Sequence, residues 1–149
     1  MTPERIWWLS TRAYRRGHIR LAKALKLANY LGYRAILPYE CDISQTLRLH
    51  HRGLAVVIHP NTRIGEHVQL AHGITIAAGS EVIGSPARVT LQDGSALGAG
   101  AKVIPGSGRA ITIGARAVVG AGAVVTDDVE PEARVAGIPA RPVSSREIS

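Results

Sequence analysis

The chain has 149 residues, enough for one domain, and 46% of them are apolar, but Phe is absent and aromatics reach only 4%, so Val, Ile, Leu, Ala and Gly must fill any core. A single cysteine, Cys41, excludes an internal disulfide framework and a multi-cysteine zinc site. The net charge of +7 sits entirely in residues 1–34, with eight Lys/Arg against Glu4, and residues 35–149 are balanced, which argues against a nucleic-acid groove on the main body.

Residues 1–40 form a basic, helical N-terminal segment. Pro3 suits a first helical turn with Thr2 as its cap, and Gly17 and Gly32 punctuate the run, so one or two helices are expected over 3–34. Leu21, Leu25 and Ala28 recur at helical spacing, with Arg20, Lys23 and Lys26 largely elsewhere. Two uses compete for this amphipathic stretch, packing on the neighbouring subunit or capping the β-helix on the one hand and lying on an anionic membrane surface on the other, and a partner-enzyme contact through these helices is a further expectation. Trp7 and Trp8 fit both. No run approaches the roughly 18 apolar residues of a membrane span. Arg12, Arg15, Arg16 and Arg20 interrupt any signal-peptide core, so a cytoplasmic location is expected.

From about residue 43 the period changes. Ile58, Ile64, Leu70, Ile76 and Val82 recur every sixth residue; Leu91, Leu97 and Val103 continue the pattern after one offset, and Ile113, Val119 and Val125 after another. Small residues often follow (Gly65, Ala71, Ala77, Gly98, Gly114, Gly120). A second small or branched residue recurs four beyond each aliphatic one, at Thr62, Val68, Ile74, Ser80, Ala101, Ala117 and Ala123. A period of six fits neither a helix nor plain strand alternation. It fits the flat wall of a triangular prism, with the aliphatic residue pointing inward and the small one in a tight corner. Three hexads make a coil, and stacked coils bury a continuous core. The fold class is therefore a left-handed parallel β-helix over 41–143, followed by a short tail, 144–149. Residues displaced by the offsets must leave the walls as loops, at 50–57, 83–90 and 104–112.

The sequence resembles the hexapeptide-repeat acyltransferases, and most of all the serine acetyltransferase branch with its polysaccharide-acetylating relatives. The resemblance spans roughly residues 41–143. It is carried by Leu49-His50-His51 with GLAVVI at 53–58, VQLAHGITI at 68–76, LGAGAKVI at 97–104, IGARAVVGAGAVVTDDV at 113–129 and VAGIPAR at 135–141. It implies an acetyl-CoA-dependent O-acetyltransferase with no resident metal.

Acetyl transfer to an alcohol needs a base, and histidine suits that work near neutral pH. It also needs donors for the developing oxyanion, which backbone N–H groups at coil corners can supply. No acyl-enzyme is required, so Cys41 is read as a packing residue. In similar enzymes a His ends a Leu-Asp-His run just before a Gly-Ile-Val-Val-like strand, which assigns His51 here as general base. His50 stands where Asp is expected and cannot supply a fixed negative charge; it and His72 are the candidate acceptor contacts. The Asp-Arg-His-Pro loop of serine acetyltransferases has only Gly84-Ser85-Pro86 as its counterpart, and Ala77-Ala78-Gly79 replaces Gly-Gly. A sugar hydroxyl or another alcohol therefore stands beside serine as acceptor. The resemblance further suggests acetyl-CoA contacts near Ala78, Ala99 and Ala121, with Arg141 on a nucleotide phosphate.

A single prism would leave His51 open on one side. Geometry and resemblance together imply a homotrimer in which the neighbouring wall completes the cleft. The alternatives are a γ-type carbonic anhydrase-like zinc protein, pointed to by His67 and His72, and a non-catalytic trimeric scaffold.

Overall fold

The computed structural model describes residues 1–77, 88–106 and 108–144. Two helices lead, α1 (Pro3–Arg15) and α2 (Ile19–Tyr33), separated at Gly17, whose φ is +80°. Thr2 occupies the cap position of α1, but its side chain makes no capping hydrogen bond; only its carbonyl accepts, from the Ile6 amide at 3.1 Å.

Helix α1 docks on the β-body. Trp7 is fully buried, and its indole Nε1–H donates to the Pro38 carbonyl at 2.8 Å. Helix α2 rests on α1. The Ser10 hydroxyl donates to the Ala22 carbonyl at 2.9 Å, and the Asn29 amide donates to the Pro3 carbonyl at 3.1 Å. These contacts turn Ala22 and Asn29 inward. Of the stripe read from sequence, Leu21 and Ala28 are exposed and Leu25 is half-buried. Small Ala22 lets the helices approach closely, and two buried hydrogen bonds fix the rotation against the pull of the leucines.

The strands follow coil by coil. The first coil carries β1 (Asp42–Ile43), β2 (Arg48–Leu49) and β3 (Val57–Ile58). The second carries β4 (Thr62–Ile64), β5 (Gln69–Leu70) and β6 (Thr75–Ile76), and the third β7 (Val89–Leu91), β8 (Ala96–Leu97) and β9 (Lys102–Val103). The fourth carries β10 (Ile111–Ile113), β11 (Val118–Val119) and β12 (Val124–Val125), followed by β13 (Arg134–Ala136) and β14 (Arg141–Pro142). The chain visits three sheets in rotation, ordered β1-β4-β7-β10, β14-β13-β11-β8-β5-β2 and β12-β9-β6-β3. All pairings are parallel except β13 with β14. The result is a three-walled parallel β-helix.

The register explains the period of six. Ile43, Ile64, Leu91 and Ile113 stack on one wall; Leu49, Leu70, Leu97, Val119 and Val135 on the second; Ile58, Ile76, Val103 and Val125 on the third. All are buried, as are Thr62, Val68, Ile74, Ala101, Ala117 and Ala123. Each large aliphatic side chain removed from water contributes about 1.5–3 kcal/mol, so the column of inward residues is the main stabilising element. The small corner residues are needed for space. A Cβ on Gly98 would meet the Ala121 amide nitrogen of the next coil at 2.6 Å. Val82, Ser80 and Gly84-Ser85-Pro86 lie outside the described residues.

All three loops expected from the offsets are shorter than read, Val57 being already part of β3. Val89 and Ile111 already belong to β7 and β10, where both are buried beside the aliphatic positions two residues on. The wall also begins earlier than the hexads suggest: Ile36 bridges in parallel to Val57, and Ala35 and Leu37 are fully buried. At the other end β14 folds back antiparallel on β13. Among the described residues, no helix is long and apolar enough to cross a membrane.

Candidate active site

Strand β2 ends at Leu49 and is followed by a tight turn, His50–Gly53, in which His51 (φ 50°) and Arg52 (φ 58°) both adopt left-handed backbone conformations. Such a conformation costs a non-glycine residue about 1–2 kcal/mol. The turn displaces this segment from the regular wall and presents His51 at the surface. On the next coil the corner after β5 is Ala71-His72-Gly73. It is tied to the turn by the Gly73 amide, which donates to the Leu54 carbonyl at 2.9 Å. The imidazoles of His51 and His72 then meet edge to face, with centroids 4.9 Å apart and planes at 89°. Both are exposed.

His50 faces another way. Its Nε2 lies 3.0 Å from Gln69 Oε1, on the outward side of β5 in the register that pairs Arg48 with Gln69. The sequence reading did not single out Gln69; its place one residue before the inward Leu70 was the available signal. Among the expected acceptor contacts, His72 thus joins His51 and His50 does not.

The same corner recurs on the third and fourth coils as Gly98-Ala99-Gly100 and Gly120-Ala121-Gly122. It is stacked by the Gly100 amide donating to the His72 carbonyl at 3.0 Å and the Gly122 amide donating to the Ala99 carbonyl at 2.8 Å. His72, Ala99 and Ala121 therefore occupy equivalent positions along one edge of the prism. Among the described residues, no backbone carbonyl accepts from the Ala99 or Ala121 amides. The edge is a line of methyl groups and unbonded amides leading away from the imidazole pair. Past Ala121 it runs into the turn at Gly137-Ile138-Pro139, where the Val124 amide donates to Gly137 and the Ala140 amide donates to Val124. Arg141 follows, exposed, with its guanidinium donating to the Ala140 carbonyl at 2.9 Å. Ala78 lies outside the described residues.

Cys41 is buried, its thiol donates to the His59 carbonyl at 3.4 Å, and burial pushes its pKa up to about 12. Such a thiol is a poor nucleophile at neutral pH. His67 sits at the corner before β5, its amide donating to Thr46 Oγ1 at 2.8 Å, and His72 sits at the corner after that strand. Among the described residues no three His, Cys, Asp or Glu side chains gather as a metal site would need.

No protein-family profile matches the sequence, and no curated protein matches it. Solved structures do match. A serine acetyltransferase from Brucella abortus strain S19 superposes with a TM-score of 0.80 at 24% identity, covering 93% of this chain and 54% of that one. The Neisseria gonorrhoeae serine acetyltransferase in complex with serine gives 0.75 at 27% identity, covering 93% and 54%. This chain has the fold of the serine acetyltransferases. The Brucella abortus enzyme in complex with coenzyme A gives 0.75 at 23% identity, covering 94% and 54%. The chain thus spans about half the length of these serine acetyltransferases.

Proposed function

We propose that the protein is an acetyl-CoA-dependent O-acetyltransferase built on a left-handed β-helix, with His51 as general base. The observation that carries this reading is the juxtaposition of His51 and His72 at the start of a prism edge whose next two corners, Ala99 and Ala121, offer unbonded amides. The coenzyme A complexes of structurally similar enzymes support a thioester co-substrate. The acetyl-CoA arm would lie along this edge, with Arg141 near its phosphates, and Ala78 is retained as a proposed contact.

In the reaction His51 accepts the proton of the acceptor hydroxyl as that oxygen attacks the thioester carbonyl. Backbone amides at the corner hold the developing oxyanion. The C–S bond then breaks, and the thiolate leaves with the proton returned by the imidazole. A base of this kind contributes about 10²–10⁴-fold to rate. His72, in edge contact with His51, orients the base or touches the acceptor. His50, engaged by Gln69, lies to the side of the pair, so its proposed role is a contact to a larger acceptor. The acceptor is a small hydroxyl compound, serine or a sugar.

Both imidazoles are exposed on one chain, so we further propose a homotrimer in which a neighbouring wall covers them. The test is acetyl-CoA consumption over a panel of amino acids, sugars and nucleotide sugars, with sedimentation to fix the assembly. Turnover that falls by at least about a hundredfold in His51→Ala supports the reading. Unchanged turnover in that variant, or a stable monomer with full activity, overturns it.

A further inference from the structure

The outward face of α2 takes no part in the proposed catalysis. With Ala22 and Asn29 turned inward, the helix presents Ala24, Leu27, Ala28 and Leu31 to solvent at i, i+3, i+4 and i+7 spacing, and Leu21 extends the strip by one turn. These leucines are 52% (Leu21), 54% (Leu27) and 61% (Leu31) exposed. An amphipathic helix normally turns such a strip toward the core; this one turns it away. A hollow of about 410 Å³, lined by Lys26, Leu27, Tyr30, Ile36 and Tyr39, opens beside it.

The charge pattern says what covers the strip. No acidic residue occurs between Glu4 and Glu40. Arg20 and Lys23 fall on the same side as Leu27 and Leu31 by helical periodicity, Arg34 caps the other end of the helix with a left-handed backbone (φ 56°), and all three are exposed. Lys26 is engaged elsewhere, its ammonium 5.5 Å from the centre of the Tyr39 ring. A second copy of this face would bring like charges together with no acid to offset them. An apolar strip bracketed by long cationic side chains matches a surface that is apolar at depth and anionic at its rim.

We infer that α2 docks the protein on anionic phospholipid membranes, lying in the interface plane with Leu27 and Leu31 inserted and Arg20, Lys23 and Arg34 on the headgroups. This inference is independent of the catalytic reading. The full chain is mixed with phosphatidylcholine vesicles containing about 30% phosphatidylglycerol, or none, and pelleted. Binding to the anionic vesicles is expected, with little to the neutral ones and weakening at high salt. Each basic side chain near such a surface is worth about fivefold in partition, so Arg20→Gln with Lys23→Gln should lower binding about twenty-fivefold. Leu27→Glu with Leu31→Glu should abolish it while far-UV circular dichroism stays unchanged, since both positions face solvent. Equal binding to neutral vesicles, none to anionic ones, or undiminished binding by the folded variants overturns the inference. So does equal affinity for polyglutamate, or lipid-free self-association that the Leu27→Glu, Leu31→Glu variant loses; these would assign the face to an acidic protein or to a second copy.

Discussion

Gly98 and Gly100 flank Ala99 in one corner, and the structure requires them for different reasons. Gly98 has an ordinary φ, but a Cβ there would stand 2.6 Å from the Ala121 amide nitrogen and 3.0 Å from Ala121 Cα and the Gly120 carbonyl carbon. These are main-chain atoms of the next coil, so relief means separating coils and stretching the hydrogen bond from the Gly98 amide to the Val119 carbonyl, now 2.8 Å. Overpacking costs about 1–3 kcal/mol, and a weakened hydrogen bond adds about 1 kcal/mol, so Gly98→Ala should lose about 2–4 kcal/mol. Gly100 has nothing within 4 Å of its would-be Cβ, and its φ is +70°. Alanine there meets only the left-handed conformation, about 1 kcal/mol. The molecule already accepts that cost at His67 (φ 55°) and Arg116 (φ 57°). At about 3 °C per kcal/mol for a chain of this size, Gly98→Ala should melt about 6–12 °C below the parent and Gly100→Ala about 3 °C below. Scanning calorimetry measures both. Equal melting points, or Gly100→Ala as the less stable protein, would refute the claim that crowding between coils outweighs backbone strain here.

Ser95 is fully buried, and its hydroxyl has no hydrogen-bond partner among the described residues; its stack neighbours are Val68 and Ala117. Ser95→Ala should therefore raise stability by about 1 kcal/mol in urea unfolding. The Cys41 pKa is raised from 9.0 to about 12 in the folded chain, so its stabilising contribution is complete below 9.0 and is lost as pH rises toward about 12. Relative to Cys41→Ala, the parent should lose up to about 1.4 kcal/mol per pH unit over that window, read from unfolding curves at about pH 8 and about pH 10. Ala121 is exposed on the prism edge, so Ala121→Leu should raise the KM for acetyl-CoA about tenfold with Tm nearly unchanged; an unaltered KM would remove that edge from the binding path.

The β-body was legible because its signal is geometric. A wall of fixed width forces the inward residue to recur every sixth position, and Ile58 through Val125 record that constraint directly. Contacts between distant segments were not legible in this way. His51 and His72 each stood out, but their meeting depends on two left-handed residues in the His50–Gly53 turn, which hexad periodicity does not encode. Likewise the rotation of α2 could not be read from its leucines. Two hydrogen bonds, from Ser10 and Asn29, and the small Ala22 decide it, and all three are weak signals beside Leu21 and Leu25. The wall beginning at Ile36 escaped the pattern because only one backbone bridge marks it.

The reversal at β14 alters what the top rung offers its surroundings. A rung of parallel strand presents a row of unclaimed donors and acceptors, which any extended polypeptide can use as a template for further growth. Here the chain turns back and places Pro142, which has no N–H to give, beside Val135. On that wall the ladder is brought to a close from within, and an arrangement that otherwise invites fibre-like elongation finishes in a surface with little left to copy.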